Sequence, residues 1–222
     1  MKMDFLPRST LKITTLALAV AAASLSTTAV MASECQLNDA NATTILGATS
    51  NVKTALACGS AAMAGGTNDT VAVGSQAKAG MNSATAVGGQ ANAAGLGSTS
   101  IGWQSKATGE RAQAFGHLAD ASGVRATAVG EAAMAGGTND TVAVGNQAKA
   151  GMNSATAVGG QANAAGLGST SIGWQSKATG ERAQAFGHLA DASGVRATAV
   201  GEAAMAKGES SVAIGNMAMA GG

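Results

Sequence analysis

Small and larger side chains alternate along most of this chain, and glycine resets the alternation at fixed intervals. After Gly74, Ala77 and Ala79 flank Lys78. Further on, Ala84 and Ala86 alternate with Thr85 and Val87. A period of two is the mark of a β-strand. The intervening Gly74-Ser75-Gln76 and Gly80-Met81-Asn82-Ser83 have turn composition. Glycines that close the pattern stand at Gly74, Gly88, Gly102, Gly116, Gly130, Gly145, Gly159, Gly173, Gly187, Gly201 and Gly215. They are 14 residues apart except for a 15-residue step from Gly130 to Gly145; Gly59 precedes Gly74 by 15 and closes an earlier rung. Each long step carries the same insert, Gly65-Gly66-Thr67-Asn68-Asp69 or Gly136-Gly137-Thr138-Asn139-Asp140. Residues 61–135 recur at 132–206, with Ser75 against Asn146 as the single difference. The spacing leaves room for two strands of about five residues and two tight turns per rung. A triangular β-helix needs more. The pattern therefore predicts an all-β fold, a flattened parallel β-roll or β-solenoid of 14-residue rungs stacked about 4.8 Å apart.

Parity assigns the faces. Counted from each rung-closing glycine, positions three, five, ten and twelve are almost always Ala, Ser or Thr, as in Ala77, Ala79, Ala84 and Ala86. These point inward, where little larger than a methyl or hydroxyl fits. A leucine there overpacks the interior, at a cost of about 1–3 kcal/mol or more. Position thirteen points outward and yet is apolar in every rung: Val73, Val87, Ile101, Phe115, Val129, Val144, Val158, Ile172, Phe186, Val200 and Ile214. Such a stripe is too long to leave bare on a monomer. Burying it is worth at most roughly 15–30 kcal/mol. The expected partner is another copy of the same chain, with folding and assembly inseparable. The outward fourth position is mostly polar: Lys78, Asn92, Lys106, Asp120, Met134.

Composition explains why the interior must be thin. Of 222 residues, 54 are Ala and 32 Gly, with three Phe, two Trp, no Tyr and one Pro. That is too little bulk for one thick core. Collagen is excluded because glycine lacks a three-residue period and proline is almost absent. A charged fraction of 11% argues against disorder.

The N-terminus reads as an export signal, residues 1–32. Lys2, Arg8 and Lys12 form a basic region, Leu16 to Leu25 an apolar one, and Val30-Met31-Ala32 a small-residue cleavage site. Glu34, not a small residue, precedes Cys35, which argues against lipidation. No other stretch approaches the roughly 18 apolar residues of a membrane helix, so no membrane insertion by this segment is expected. The mature chain has ten basic and eleven acidic residues, a balance that suggests no nucleic-acid partner. Residues 33–56 are expected to form an N-terminal segment or cap before the repeats at 57–222. Cys35 and Cys58 are a candidate disulfide worth about 3 kcal/mol; unpaired or intermolecular thiols are the alternative.

Ser211-Val212-Ala213-Ile214-Gly215, Thr70-Val71-Ala72-Val73-Gly74 and Ala84-Thr85-Ala86-Val87-Gly88 resemble the head repeat of YadA-like trimeric autotransporter adhesins. The resemblance covers about residues 57–222. It implies a left-handed roll, three rolls around one axis, and a place on a bacterial cell surface or outer membrane, with the stripe as trimer core. Heads of this kind normally continue into a neck, a coiled-coil stalk and a β-barrel anchor. The chain is thus expected to be a fragment whose anchor lies beyond Gly222, or else to be secreted.

Catalytic chemistry finds little support, and no enzyme, cofactor or metal is expected. His117 and His188 follow rung-closing glycines and read as turn residues. Glu110 and Asp120 lie on different rungs and faces. The Gly-Gly-Thr-Asn-Asp insert lacks the spacing of calcium-binding nonapeptides, and no glycine pair is followed by the lysine of a phosphate loop. Trp103 and Trp174 are either interface packing or exposed binding aromatics. The expected function is adhesion to extracellular matrix protein or to host or bacterial cell surfaces, and the homotrimer is itself one of the partnerships. Ligand-facing candidates are Lys78, Asn92, Trp103, Lys106, Arg111 and Arg125. Alternatives are a passive fibre spacer, which the duplication suits, and an ice-binding solenoid. The threonine file Thr85, Thr99, Thr127 is broken by Gln113 and Val142, which weighs against ice.

Overall fold

A computed structural model describes residues 33–34, 48–50 and 54–221. The expected signal peptide and Cys35 lie outside the described residues. Across them the chain winds as a two-sided parallel β-roll of about 12 turns. Two parallel sheets, each of thirteen strands among the described residues, contain every second strand in chain order. The first sheet begins with Ser33–Glu34 and Leu56–Cys58 and ends with Val212–Ile214; the second begins with Thr49–Ser50 and Met63–Ala64 and ends with Met219–Ala220. Both sheets therefore start upstream of residue 57. The strands are shorter than the expected five residues. In full rungs they have three residues in the first sheet and two in the second, as in Thr85–Val87 and Asn92–Ala93.

Turn geometry explains the shortness. Each rung turns twice, and each turn takes a residue into the left-handed region: Gln76 (φ 57°) and Ser83 (φ 56°) in one rung, Gln104 (φ 54°) and Arg111 (φ 56°) two rungs on. The turns are closed within the rung by Ala77 N–H to Gly74 O (3.2 Å) and Ala84 N–H to Met81 O (3.2 Å). They are also bonded from rung to rung, as in Gln90 N–H to Ser75 O (2.8 Å). The corners are thus as regular as the strands, and a file of identical positions runs along every edge.

Register follows the sequence spacing. Ala86 pairs with Ser100, Ala114 with Ala128, and Ala79 with Ala93. The four inward positions are fully buried in nearly every rung. Ser100 Oγ, from the first sheet, lies 2.7 Å from Ser105 Oγ on the far side of the corner. The interior is therefore narrow enough for two hydroxyls to span it. Inward serines elsewhere turn back to a turn carbonyl, as Ser98 does to Gly95 O at 2.7 Å. The insert rungs differ: Thr70 Oγ1 and Thr141 Oγ1 are buried without a hydrogen-bond partner.

Glycine is demanded by two kinds of close approach. At rung-closing Gly116 φ is +136°, and an added Cβ would stand 2.5 Å from Gly130 O. At Gly109, in the other corner, it would stand 1.9 Å from Gly123 O. No helix among the described residues is long and apolar enough to cross a membrane.

Candidate interaction surfaces

The roll carries three kinds of surface, set by position within the rung. The first is the apolar stripe on the outside of the first sheet. Val87 stands beside Ile101, Phe115 beside Val129, and Ile172 beside Phe186. Neighbouring members cover one another only in part: Ile101 and Ile172 each remain 39% exposed. Threonines such as Thr85 and Thr99 run beside them on the same face.

The second is a ladder on the corner next to the stripe, one residue after each rung-closing glycine. Trp103 stacks on His117 with centroids 5.0 Å apart and planes at 16°. His117 Nδ1 is 3.5 Å from Glu131 Oε1, and Asn146 Nδ2 donates to Glu131 Oε2 at 3.2 Å. The second copy repeats the series with Trp174, His188, Glu202 and Asn216. On its other side Trp103 lies over Gly89, whose added Cβ would be 3.1 Å from Trp103 Cδ1. Trp103 is thus inserted between Gly89 and His117 and remains 48% exposed. Spacing alone held this signal, because Trp103, His117 and Glu131 recur 14 residues apart; reading His117 as a turn residue missed the stack.

The third surface lies on the second sheet and the corner leading into it. Lys78, Asn92 and Lys106 pair in register and project outward. With Gln76, Gln90, Gln104 and Leu118 they line a groove of about 450 Å³. Gln104 Nε2 donates to Gln90 Oε1 at 2.6 Å, which joins two members of the amide row. In the second copy Lys149, Asn163 and Lys177, with Gln147, Gln161 and Gln175, line a groove of about 730 Å³ that also takes in Met134 and Leu189. Gln175 there donates to Gln161 at 2.6 Å.

The six expected ligand-facing residues therefore do not form one site. Lys78, Asn92 and Lys106 share a groove, Trp103 sits in the ladder, and Arg111 and Arg125 lie at the opposite corner. Arg125 is engaged: Nε and Nη2 donate to the two carboxylate oxygens of Asp140 at 2.6 and 2.8 Å. This bond and the guanidinium charge hold the Asp140 carboxyl below its ordinary range, and Asp140 raises Arg125 in turn. Arg196 pairs with Glu209 in the second copy. Cys58 is disulfide-bonded. Among the described residues no group of three or more His, Cys, Asp or Glu side chains is placed to hold a metal ion.

These files recur every 14 residues, and the comparison with known families falls on the same period. The model of the YadA head domain repeat (two copies) matches residues 79–105, 93–119, 121–148, 150–176, 164–190 and 192–218, together more than half of the chain. The chain belongs to the YadA head family. Each matched window spans about two rungs of the roll, so the family's unit and the structural unit coincide. Among solved structures, the crystal structure of the collagen-binding domain of the Yersinia adhesin YadA is similar at 24% identity, with a TM-score of 0.33, over 68% of this chain and 67% of that one. No curated protein sequence matches. Membership in the YadA head family points to adhesin-type function.

Proposed function

We propose that this chain is the head of a bacterial surface adhesin in which three rolls pack their first sheets around a common axis. The observation that carries this reading is the unbroken apolar file from Val73 to Ile214, still partly open to water in the single chain. A roll with an alanine interior buries little apolar area of its own, so association supplies what the core does not. The second sheets and the far corners then face outward, repeated along a stiff fibre. Many weak contacts along one particle suit attachment to extracellular matrix or to cell surfaces by avidity. Export through the N-terminal segment and a Cys35–Cys58 link at the start of the roll belong to the same reading.

The test is adhesion by the assembled protein. Beads coated with the folded mature chain are expected to adhere to matrix-coated or cell-coated surfaces above uncoated beads. Absence of adhesion to every matrix protein and cell type offered, with the fold and the solution mass verified, would refute the proposal. A chain that serves only as a spacer gives that negative result.

A further inference from the structure

We infer that the paired grooves on the second sheet bind a linear anionic glycan lying along the fibre axis. This deepens the adhesin reading and rests on it, because packing the first sheets together leaves the second sheets outward.

Charge is the first observation. Each groove is lined by two lysines and no carboxylate. Among the described residues none of Lys78, Lys106, Lys149 and Lys177 forms an ion pair, whereas Arg125 and Arg196 do. Four exposed ammonium groups thus stand on one face without an ion-pair partner among the described residues. Asp120 and Asp191 follow Lys106 and Lys177 in register and end each positive segment.

Spacing is the second. Lys78 and Lys106 are two rungs apart with Asn92 between them, so their charges recur at about 9.6 Å along the axis. A hexose in an extended chain advances by about one rung. Within each groove the lysine interval therefore matches the uronate carboxylate that recurs on every second sugar of an acidic disaccharide polymer. The duplication places the second groove five rungs further along the same face, an odd number, so each groove takes its own stretch of glycan.

Hydrogen bonding selects the polymer. Beside the lysines runs a row of glutamines, and Asn92 and Asn163 join it. Each amide has both a donor and an acceptor. Sugar hydroxyls satisfy both; a phosphate chain offers acceptors only, and an acidic peptide donates only through its backbone N–H. Both grooves are shallow, which suits an extended chain rather than an enclosed small molecule; the first is mainly polar, and Met134 and Leu189 make the second more apolar.

The experiment uses the mature chain with heparin as the probe, polyglutamate as competitor and neutral dextran as the uncharged comparison. Heparin is expected to bind, more weakly as salt rises, while dextran does not. Neutralising both grooves (K78Q/K106Q/K149Q/K177Q) is expected to weaken binding roughly tenfold or more. Neutralising cations elsewhere (R182Q/R196Q/K207Q) is expected to change it by less than about twofold. All four lysines are exposed and outside the core, so circular dichroism and solution mass are expected to be unchanged in both variants. Equal weakening by the two sets, or displacement of heparin by polyglutamate as readily as by unlabelled heparin, would overturn the inference. No heparin binding by a chain whose beads still adhere overturns the inference and leaves the adhesin reading standing. Heparin binding without adhesion does the reverse.

Discussion

Replacing Gly116 by alanine tests whether the glycine file at the rung corners is a steric requirement. The residue has φ +136°, a region that side chains with a Cβ rarely enter, and the new methyl would lie 2.5 Å from Gly130 O and 2.7 Å from Gly130 C. The obstructing atoms are backbone of the next rung, held by Gly130 N–H to Phe115 O at 2.8 Å, so they cannot swing aside. The conformational cost is about 1–3 kcal/mol. Displacing a packed rung adds roughly 1–3 kcal/mol more. Gly151 is the matched comparison, since a Cβ there meets nothing within 4 Å and its φ is outside the positive range. Gly151→Ala is expected to be neutral or to stabilise by about 0.4–1 kcal/mol through the unfolded chain. Urea unfolding at one fixed protein concentration measures both, because the proposed assembly would make stability concentration-dependent. Similar midpoints for the two variants would refute the steric reasoning.

Other consequences are equally direct. Ala128→Leu puts a branched side chain into a fully closed interior position and is expected to cost at least about 1–3 kcal/mol, read as a lower urea midpoint. Thr141→Val removes a buried hydroxyl that has no partner while keeping its shape, and is expected to be neutral or to stabilise by about 1 kcal/mol; a clear loss would mean that the hydroxyl is bonded. The Arg125–Asp140 pair lowers the aspartate's titration, so its contribution is present above the ordinary aspartate range and fades as pH falls through the lowered value. NMR titration of the Asp140 carboxyl is expected to move upward in Arg125→Gln, and an unmoved titration would contradict the pairing.

Much of this was legible in the sequence because a solenoid repeats each decision eleven times. The inward alanines, the outward Val87–Ile101–Phe115 file and the polarity of Lys78 and Asn92 followed from parity and recur in the structure. Strand length did not follow. A two-residue alternation cannot reveal that Gln76 and Ser83 enter the left-handed region and cut the strands to three and two residues. The corner ladder was also missed, since Trp103, His117 and Glu131 are far apart in sequence and meet only through the 14-residue register. The groove amides escaped for the same reason. Lys78, Asn92 and Lys106 stand out singly in the sequence, and only the corner geometry sets the glutamine row beside them. Arg111 and Arg125 fall at the opposite corner of the rung, and a loop insert supplies Asp140 to engage Arg125.

The assembly proposal stands or falls on the solution mass of the folded mature chain, measured by sedimentation equilibrium. Three packed stripes require three times the chain mass, with dissociation when Val158→Asp places a charge in the middle of the stripe. A folded monomer at micromolar concentration, with the stripe from Val73 to Ile214 open to water, would contradict it.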